Sequence, residues 1–292
     1  MEFRRTVALA ACSAALLAGC GGSSVPAVPA GATESGAITA NSPSRIYLTN
    51  YNANEVRTFR SSGKTVKPVF THGISGPHFI AIGDTKLYVA NSGATVTAYN
   101  PKNGKQTKPT ISQNLQYAMG LAVNLKGTVY VGDYTNGTIT TYNGKNGKQL
   151  ALTITGLTAP LGIAVDKQNK VYVAQNGALS VFNADGSPAL TITSGIDSPQ
   201  AVAVDLNGKI YVSNCPASGS GFVTTYFPNG KRASPTIDGI SCPEGLAVDS
   251  GGTIYVAIAG TGSSGGMMTF SASGTKKSPT IKQNGQAFGI AL

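Results

Sequence analysis

Cysteine, histidine and acidic side chains are all scarce in this chain. Four cysteines among 292 residues are too few for a disulfide scaffold, and their spacing forms no zinc ligand set. Two histidines, His72 and His78, leave few candidates for an imidazole base. Charged residues make up only 12%, whereas glycine is abundant at 37 and β-branched residues recur in short runs. That balance argues against helical bundles and suits many short strands joined by tight turns. Beyond the first twenty residues no apolar run is long enough to span a bilayer. Length alone allows one large domain or two ordinary ones. The formal charge of +10 raises nucleic acid as a partner until the N-terminus is considered.

The chain opens with a short basic start, "MEFRR", an apolar stretch, "TVALAACSAALLA", and then "LAGC", Leu17 to Cys20. So short an apolar stretch reads as a signal peptide, residues 1–19. Small residues followed by cysteine resemble the lipobox of bacterial lipoproteins. The resemblance implies cleavage before Cys20, which becomes lipidated, and Gly21 behind it fits outer-membrane sorting. The alternative is a plain signal peptide with an incidental cysteine. Residues 20–43 are small, polar and dotted with proline, without hydrophobic periodicity, and read as a flexible tether. The expected location is the cell envelope, lipid-anchored, at the outer membrane facing periplasm or cell surface. Nucleic acid is not expected there.

Residues 44–292 carry an internal repeat. "FIAIGDTKLYVANSG" from Phe79 is echoed by "GLAVNLKGTVYVGDY" from Gly120 and "GIAVDKQNKVYVAQNG" from Gly162. "AVAVDLNGKIYVSNC" from Ala201 and "GLAVDSGGTIYVAIAG" from Gly245 follow. A sixth copy is split between "RIYLTN" at Arg45 and "FGIAL" ending at Leu292. The tyrosines Tyr47, Tyr88, Tyr130, Tyr172, Tyr211 and Tyr255 are 41, 42, 42, 39 and 44 residues apart. A period near 42 with four strand-like runs per copy is the size of a propeller blade. The predicted fold is therefore all-β: six four-stranded blades, with the ring closed by the C-terminal strand pairing in the first blade. Closure leaves no free inner edge, and a monomer is expected. Ala81, Ala122, Ala164, Ala203, Ala247 and Ala291 fit a crowded axis. Phe59, Tyr99, Tyr142, Phe182, Tyr226 and Phe270 fit the wider space between blades. Asp166, Asp205, Asp249 and Asn124 fall in the turn after the first strand, where an Asx side chain bonds the backbone two residues on.

The words P-x-G-(I/L)-A-V-D and (I/V)-Y-V-(A/S)-N resemble the NHL repeat across residues 44–292. The match is weaker in the first blade and at Ile258, where a polar residue is expected. A wider resemblance is to six-bladed propellers of the gluconolactonase and senescence-marker type. Such a ring is a platform that serves many functions.

Naming the strands a to d, the d–a linkers and b–c loops share one face, the top, and the a–b and c–d turns share the bottom. Most lysines fall in bottom turns, either as solvated turn residues or as an attraction for anionic lipid headgroups or envelope polymers. At the top, the linkers end on His78, Met119, Leu161, Gln200, Glu244 and Phe288. The b strands end on Asn50, Asn91, Asp133, Gln175, Asn214 and Ile258. Tyr51, Tyr117 and Tyr134 are aromatics the repeat does not require. The candidate ligand site is thus Tyr51, His78, Tyr117, Met119, Tyr134, Gln200, Glu244 and Phe288, a concave mouth with clustered aromatics. Plugging of the channel is the alternative role for these side chains. The favoured function is a binding module for a protein, small molecule or glycan, working without a cofactor.

The enzymatic alternative is a hydrolase or lyase. The gluconolactonase resemblance implies a divalent cation, for which Asp133, Glu244, Asn91 and Asn214 offer oxygens, although the two carboxylates face each other across the axis. The streptogramin-lyase type relies on histidine with an acid, which leaves His78. Finally, Cys215 and Cys242 fall on the top of adjoining blades and are expected to be joined in an oxidising compartment. The alternative is two free buried thiols.

Overall fold

A computed structural model describes residues 43–83, 85–260 and 264–292. The leader, Cys20 and nearly all of the tether lie outside the described residues. Six four-stranded antiparallel sheets make up the ring. In blade four, strands a to d are Ile163–Val165, Val171–Gln175, Ala178–Phe182 and Pro188–Ile192, in that spatial order. Strands a and b are buried on both faces, which is why they read as unbroken apolar runs. Strand d alternates between exposed and covered positions because it forms the outer rim.

Local chemistry fixes each blade. Asp166 Oδ1 accepts from the backbone amides of Gln168 and Lys170, both at 2.9 Å, while its Oδ2 accepts from Tyr172 Oη at 3.0 Å. Asp205 and Asp249 repeat the arrangement, so each acid closes the a–b turn and anchors its strand-b tyrosine. Between blades, strand-c tyrosines bond the linker leaving the previous blade. Tyr99 Oη donates to His72 O at 2.8 Å, Tyr142 Oη to Gln113 O at 2.6 Å and Tyr226 Oη to Ser194 O at 2.8 Å.

The six a strands meet at the axis: Pro77–Ile82, Ala118–Val123, Ile163–Val165, Pro199–Val204, Pro243–Val248 and Ile290–Ala291. Each lies against the next, and the last lies against the first. The crowding is measurable at one recurring position. A Cβ added to Gly120 would sit 2.1 Å from Leu161 O, and one added to Gly289 2.5 Å from His78 O.

Closure joins the two chain ends in one sheet. Tyr47 pairs with Ala291 and Leu48 with Ile290, so the C-terminal strand is strand a of the first blade. Thr49 locks the joint: its Oγ1 accepts from Phe288 N at 3.0 Å and Gly289 N at 2.8 Å. The outer edges are blunted differently. Pro68, Pro109, Pro188, Pro235 and Pro279 sit in five of the six d strands and remove backbone donors that another chain could pair with.

Candidate functional site

The top rim is shaped by a fault in the ladder between strands a and b. Register passes from Pro77↔Asn91 to Ile80↔Val89 in blade two, and from Ala118↔Asp133 to Leu121↔Val131 in blade three. Blades five and six show the same slip, after Pro199↔Asn214 and Pro243↔Ile258. The residues in these irregularities are His78, Met119, Gln200 and Glu244. A bulge leaves such a residue out of the ladder and re-aims its side chain. These four blades thus each carry, at the slip, a side chain that differs from blade to blade.

Five rings from three adjoining blades form a continuous cluster there. His78 lies 5.3 Å from Tyr51, 5.2 Å from Phe288 and 5.6 Å from Tyr117, between ring centroids. Tyr51 meets Phe288 edge-on at 5.3 Å, and Tyr117 meets Tyr134 at 6.2 Å. These are the separations at which aromatic pairs attract. His78 is buried, Tyr51, Tyr117 and Phe288 are half-buried, and Tyr134 is 43% exposed. The cluster therefore grades from a covered floor to an open edge. Met119 is half-buried, and Gln200 is turned to its own linker, with Nε2 donating to Ser198 O at 2.9 Å.

At the floor, His78 Nε2 is 3.1 Å from both Tyr117 Oη and Ser92 Oγ. Ser92 Oγ already donates to Gly76 O at 2.9 Å, so towards His78 it acts as acceptor. That assigns the proton of neutral His78 to Nε2. Nδ1 is then a bare acceptor, buried and without a hydrogen-bond partner. Burial pushes the imidazole down to about 4.

Across the mouth, Glu244 lies beside the bridge between Cys215 and Cys242, whose Cα atoms are 4.7 Å apart. Glu244 Oε1 is 3.3 Å from Cys242 Sγ. A bridged sulfur has no proton to give, so this is a packing contact that helps to desolvate the carboxyl. Burial pushes Glu244 up to about 7.

The polar residues ending the b strands serve the loops. Asn91 Oδ1 accepts from Ser75 N, Gln175 Oε1 from Thr158 N and Asn214 Oδ1 from Asp197 N. Asp133 binds the amides of Gln116, Tyr117, Thr135 and Asn136. In blades two to five the side chain pins the incoming linker. Blade six has Ile258 at this position and cannot do so; there Cys242, in the linker, is tied to Cys215 instead. Sequence reasoning missed this pinning role, although the run of Asn, Asp and Gln at one repeat position signals it.

Asp133, Glu244, Asn91 and Asn214 are the candidates for a divalent cation. Asn91, Asp133 and Asn214 accept backbone amides, and burial raises Glu244, which disfavours its ionised form. Among the described residues, the one grouping of His, Cys, Asp and Glu ligand atoms is Cys215, Cys242 and Glu244, two of which are bonded to each other. The oxygens expected to hold a hard cation at this mouth are thus mostly turned to the loops.

His78 and Glu244 should give stability opposite pH dependences. The folded His78 titrates below its ordinary 6.5, so the unfolded chain binds more protons between pH 4 and 6.5 and stability rises with pH there. Folded Glu244 titrates above its ordinary 4.5, so stability falls as pH rises from 4.5 to 7. In wild type the two slopes largely cancel between pH 4.5 and 6.5. Glu244→Gln should therefore gain roughly 3 kcal/mol on wild type between pH 4.5 and 8, and His78→Phe roughly 3 kcal/mol between pH 7 and 4. Urea unfolding at several pH values reads both. A constant offset between variant and wild type would show that the group does not titrate in this way.

No family model matches the sequence, and no curated protein does. Solved structures do resemble the ring. One is a chain in the crystal structure of a nidogen/laminin complex, with TM-score 0.71 and 15% identity over 84% of this chain and 97% of that one. Another is a protein of unknown function from Bacteroides caccae, with TM-score 0.66 and 13% identity over 85% of this chain and 98% of that one. At such identities the likeness speaks for architecture alone, and it agrees with the strand order: the chain is a six-bladed β-propeller.

Proposed function

We propose that this protein is a binding module of the cell envelope, anchored through lipidated Cys20, that takes its ligand at the aromatic cluster of the top face. The observation that carries the reading is the graded run of five rings from buried His78 to exposed Tyr134. Burying these rings does not require an open edge, so the fold by itself does not account for Tyr134. Half-exposed aromatics offer large contact area at low entropic cost, suited to a protein loop or a glycan ring. A propeller neighbour that crystallised within a protein complex supports the binding reading. The anchor half of the proposal is checked by mass spectrometry of the N-terminal peptide, which should carry diacylglycerol on Cys20.

The hydrolase or lyase alternative is less well supported. The oxygens proposed for a cation are engaged, and the groups within hydrogen-bond reach of His78 Nε2 are a phenol and a hydroxyl rather than a carboxylate. Capture from native envelope tests the main reading. Tyr51→Ala, Tyr117→Ala and Tyr134→Ala together should reduce recovery of the bound partner by at least about tenfold, a loss of some 1.4 kcal/mol or more. Equal recovery by triple variant and wild type would remove the top face from consideration.

A further inference from the structure

The bottom face carries features that neither the fold nor the top-face reading uses. Five large apolar side chains are exposed among the described residues, and three of them sit in bottom turns: Leu125 (57%), Leu206 (51%) and Phe227 (51%). Leu125 and Leu206 occupy the position after the Asx residue in the a–b turns of blades three and five. Those turns are closed by Asn124 and Asp205 bonding the backbone, so the fold needs nothing apolar next to them. In blade four the same position is Lys167. Leu125, Lys167, Lys170, Leu206 and Pro228 line a common open cleft of about 680 Å³, and Phe227 adjoins it. Lys167 Nζ reaches across to Leu206 O at 3.2 Å, joining the two turns.

Charge on this face is predominantly positive: the bottom turns of blades three to five hold Lys126, Lys145, Lys148, Lys167, Lys170, Lys209 and Lys231 against Asp166, Asp185 and Asp205. Lys126, Lys167, Lys170, Lys209 and Lys231 surround the apolar side chains. Asp166 and Asp205 keep their charge while each accepts two backbone amides and a tyrosine hydroxyl, and Asp185 accepts from Ser187, so lysines outnumber acids here by about two to one. The chain also enters the ring at this face. Arg45, immediately before the first strand, donates from Nη1 to Pro101 O at 2.9 Å, and Pro101 lies in the bottom c–d turn of blade two. The first strand, Ile46–Asn50, therefore starts from the bottom side.

We infer that the bottom face docks directly on a bilayer surface bearing anionic headgroups, with Leu125, Leu206 and Phe227 entering the interface and the surrounding lysines neutralising headgroup charge. Interfacial binding of this kind sums apolar burial and attraction to anionic lipid. The first strand starts from this same basic face. The aromatic mouth is then held on the opposite side, pointing away from the lipid. The inference concerns the ring itself and stands whether or not Cys20 is lipidated.

The test uses the chain from residue 20 onward with Cys20→Ser, which has no acyl group to insert. Flotation is measured with vesicles of phosphatidylcholine alone and of phosphatidylcholine with about a third phosphatidylglycerol. Binding should be at least about tenfold tighter to the anionic vesicles at 0.1 M salt and should be largely lost near 0.5 M, where the screening length is a few ångströms. Leu125→Ser, Leu206→Ser and Phe227→Ser together should weaken it by about tenfold or more without changing the melting temperature. Lys282→Gln, a charge removed from the outer strand of blade six, should leave it unchanged. Equal binding to both vesicle types, salt-independent binding, or no vesicle binding at all would each overturn the inference. So would full binding by the triple-serine chain, which would place the contact in the N-terminal segment. None of these outcomes bears on capture by the top face, which is read with different variants.

Discussion

A chain ending at Ala287 should not form the native ring. Removing residues 288–292 takes away strand a of the first blade and the buried side chains of Ile290 and Leu292. It also strips Thr49, itself fully buried, of three backbone partners at Phe288 and Gly289. Losing two buried aliphatic side chains costs about 2–5 kcal/mol each, and stranded backbone donors and acceptors on Leu48 and Thr49 add to that. The total exceeds about 5 kcal/mol, a large share of the stability of any single domain. The edge left behind would be apolar and unpaired, a template for another chain. The expected result is a melting temperature lowered by 10 °C or more, roughly 2–4 °C per kcal/mol at this size, with association on size-exclusion chromatography. A truncated chain that stays monomeric and melts within a few degrees of wild type would show that closure contributes little.

Loss of the bridge between Cys215 and Cys242 should have the next largest effect. The two positions are 27 residues apart, and a loop of that size corresponds to about 3–4 kcal/mol in the chain-entropy account. Position makes the bridge more than a generic tie. Blades two to five pin the incoming linker with an Asn, Asp or Gln side chain at the end of strand b, and blade six has only Ile258 there. Cys215→Ala with Cys242→Ala should thus lower stability by about 3 kcal/mol and loosen the linker that keeps Glu244 covered. A more solvated Glu244 returns towards its ordinary value, so the loss of stability between pH 4.5 and 7 described above should shrink in the same variant. If the double variant unfolds within about 1 kcal/mol of wild type and keeps the full pH slope, the linker is held by other contacts.

Much of this architecture was legible from sequence because a propeller is repetitive and local. The tyrosine spacing counted the blades, and the split copy required the ends to meet; Tyr47 pairing with Ala291 is that requirement met. The Asx residues of the a–b turns act within four residues of themselves, so their role could be read directly from "VDKQNK" and "VDLNGK". The aromatics at the top, Tyr51, His78, Tyr117, Tyr134 and Phe288, could be assigned to one face because strand direction alternates strictly.

What alternation could not supply was the destination of each side chain. Asp133 and Asn91 have the composition of cation ligands, but bulges in the a–b ladder and the course of the linkers turn their oxygens onto backbone amides. Those amides lie 16 or 17 residues away in sequence, and the pairing exists only once the blade has folded. Glu244 reads as an ordinary carboxylate in "CPEG"; only burial against Cys242 makes it an acid that holds its proton to about 7. The cleft joining Leu125 to Leu206 spans residues from three successive blades, brought together by the curvature of the ring. Sequence by itself determined the number of blades, their order and the face on which each loop falls, because these follow from period and strand direction. Tertiary structure decided which polar atoms are spent and which are left facing solvent, because hydrogen bonding and desolvation depend on neighbours that the chain acquires only on closing the ring.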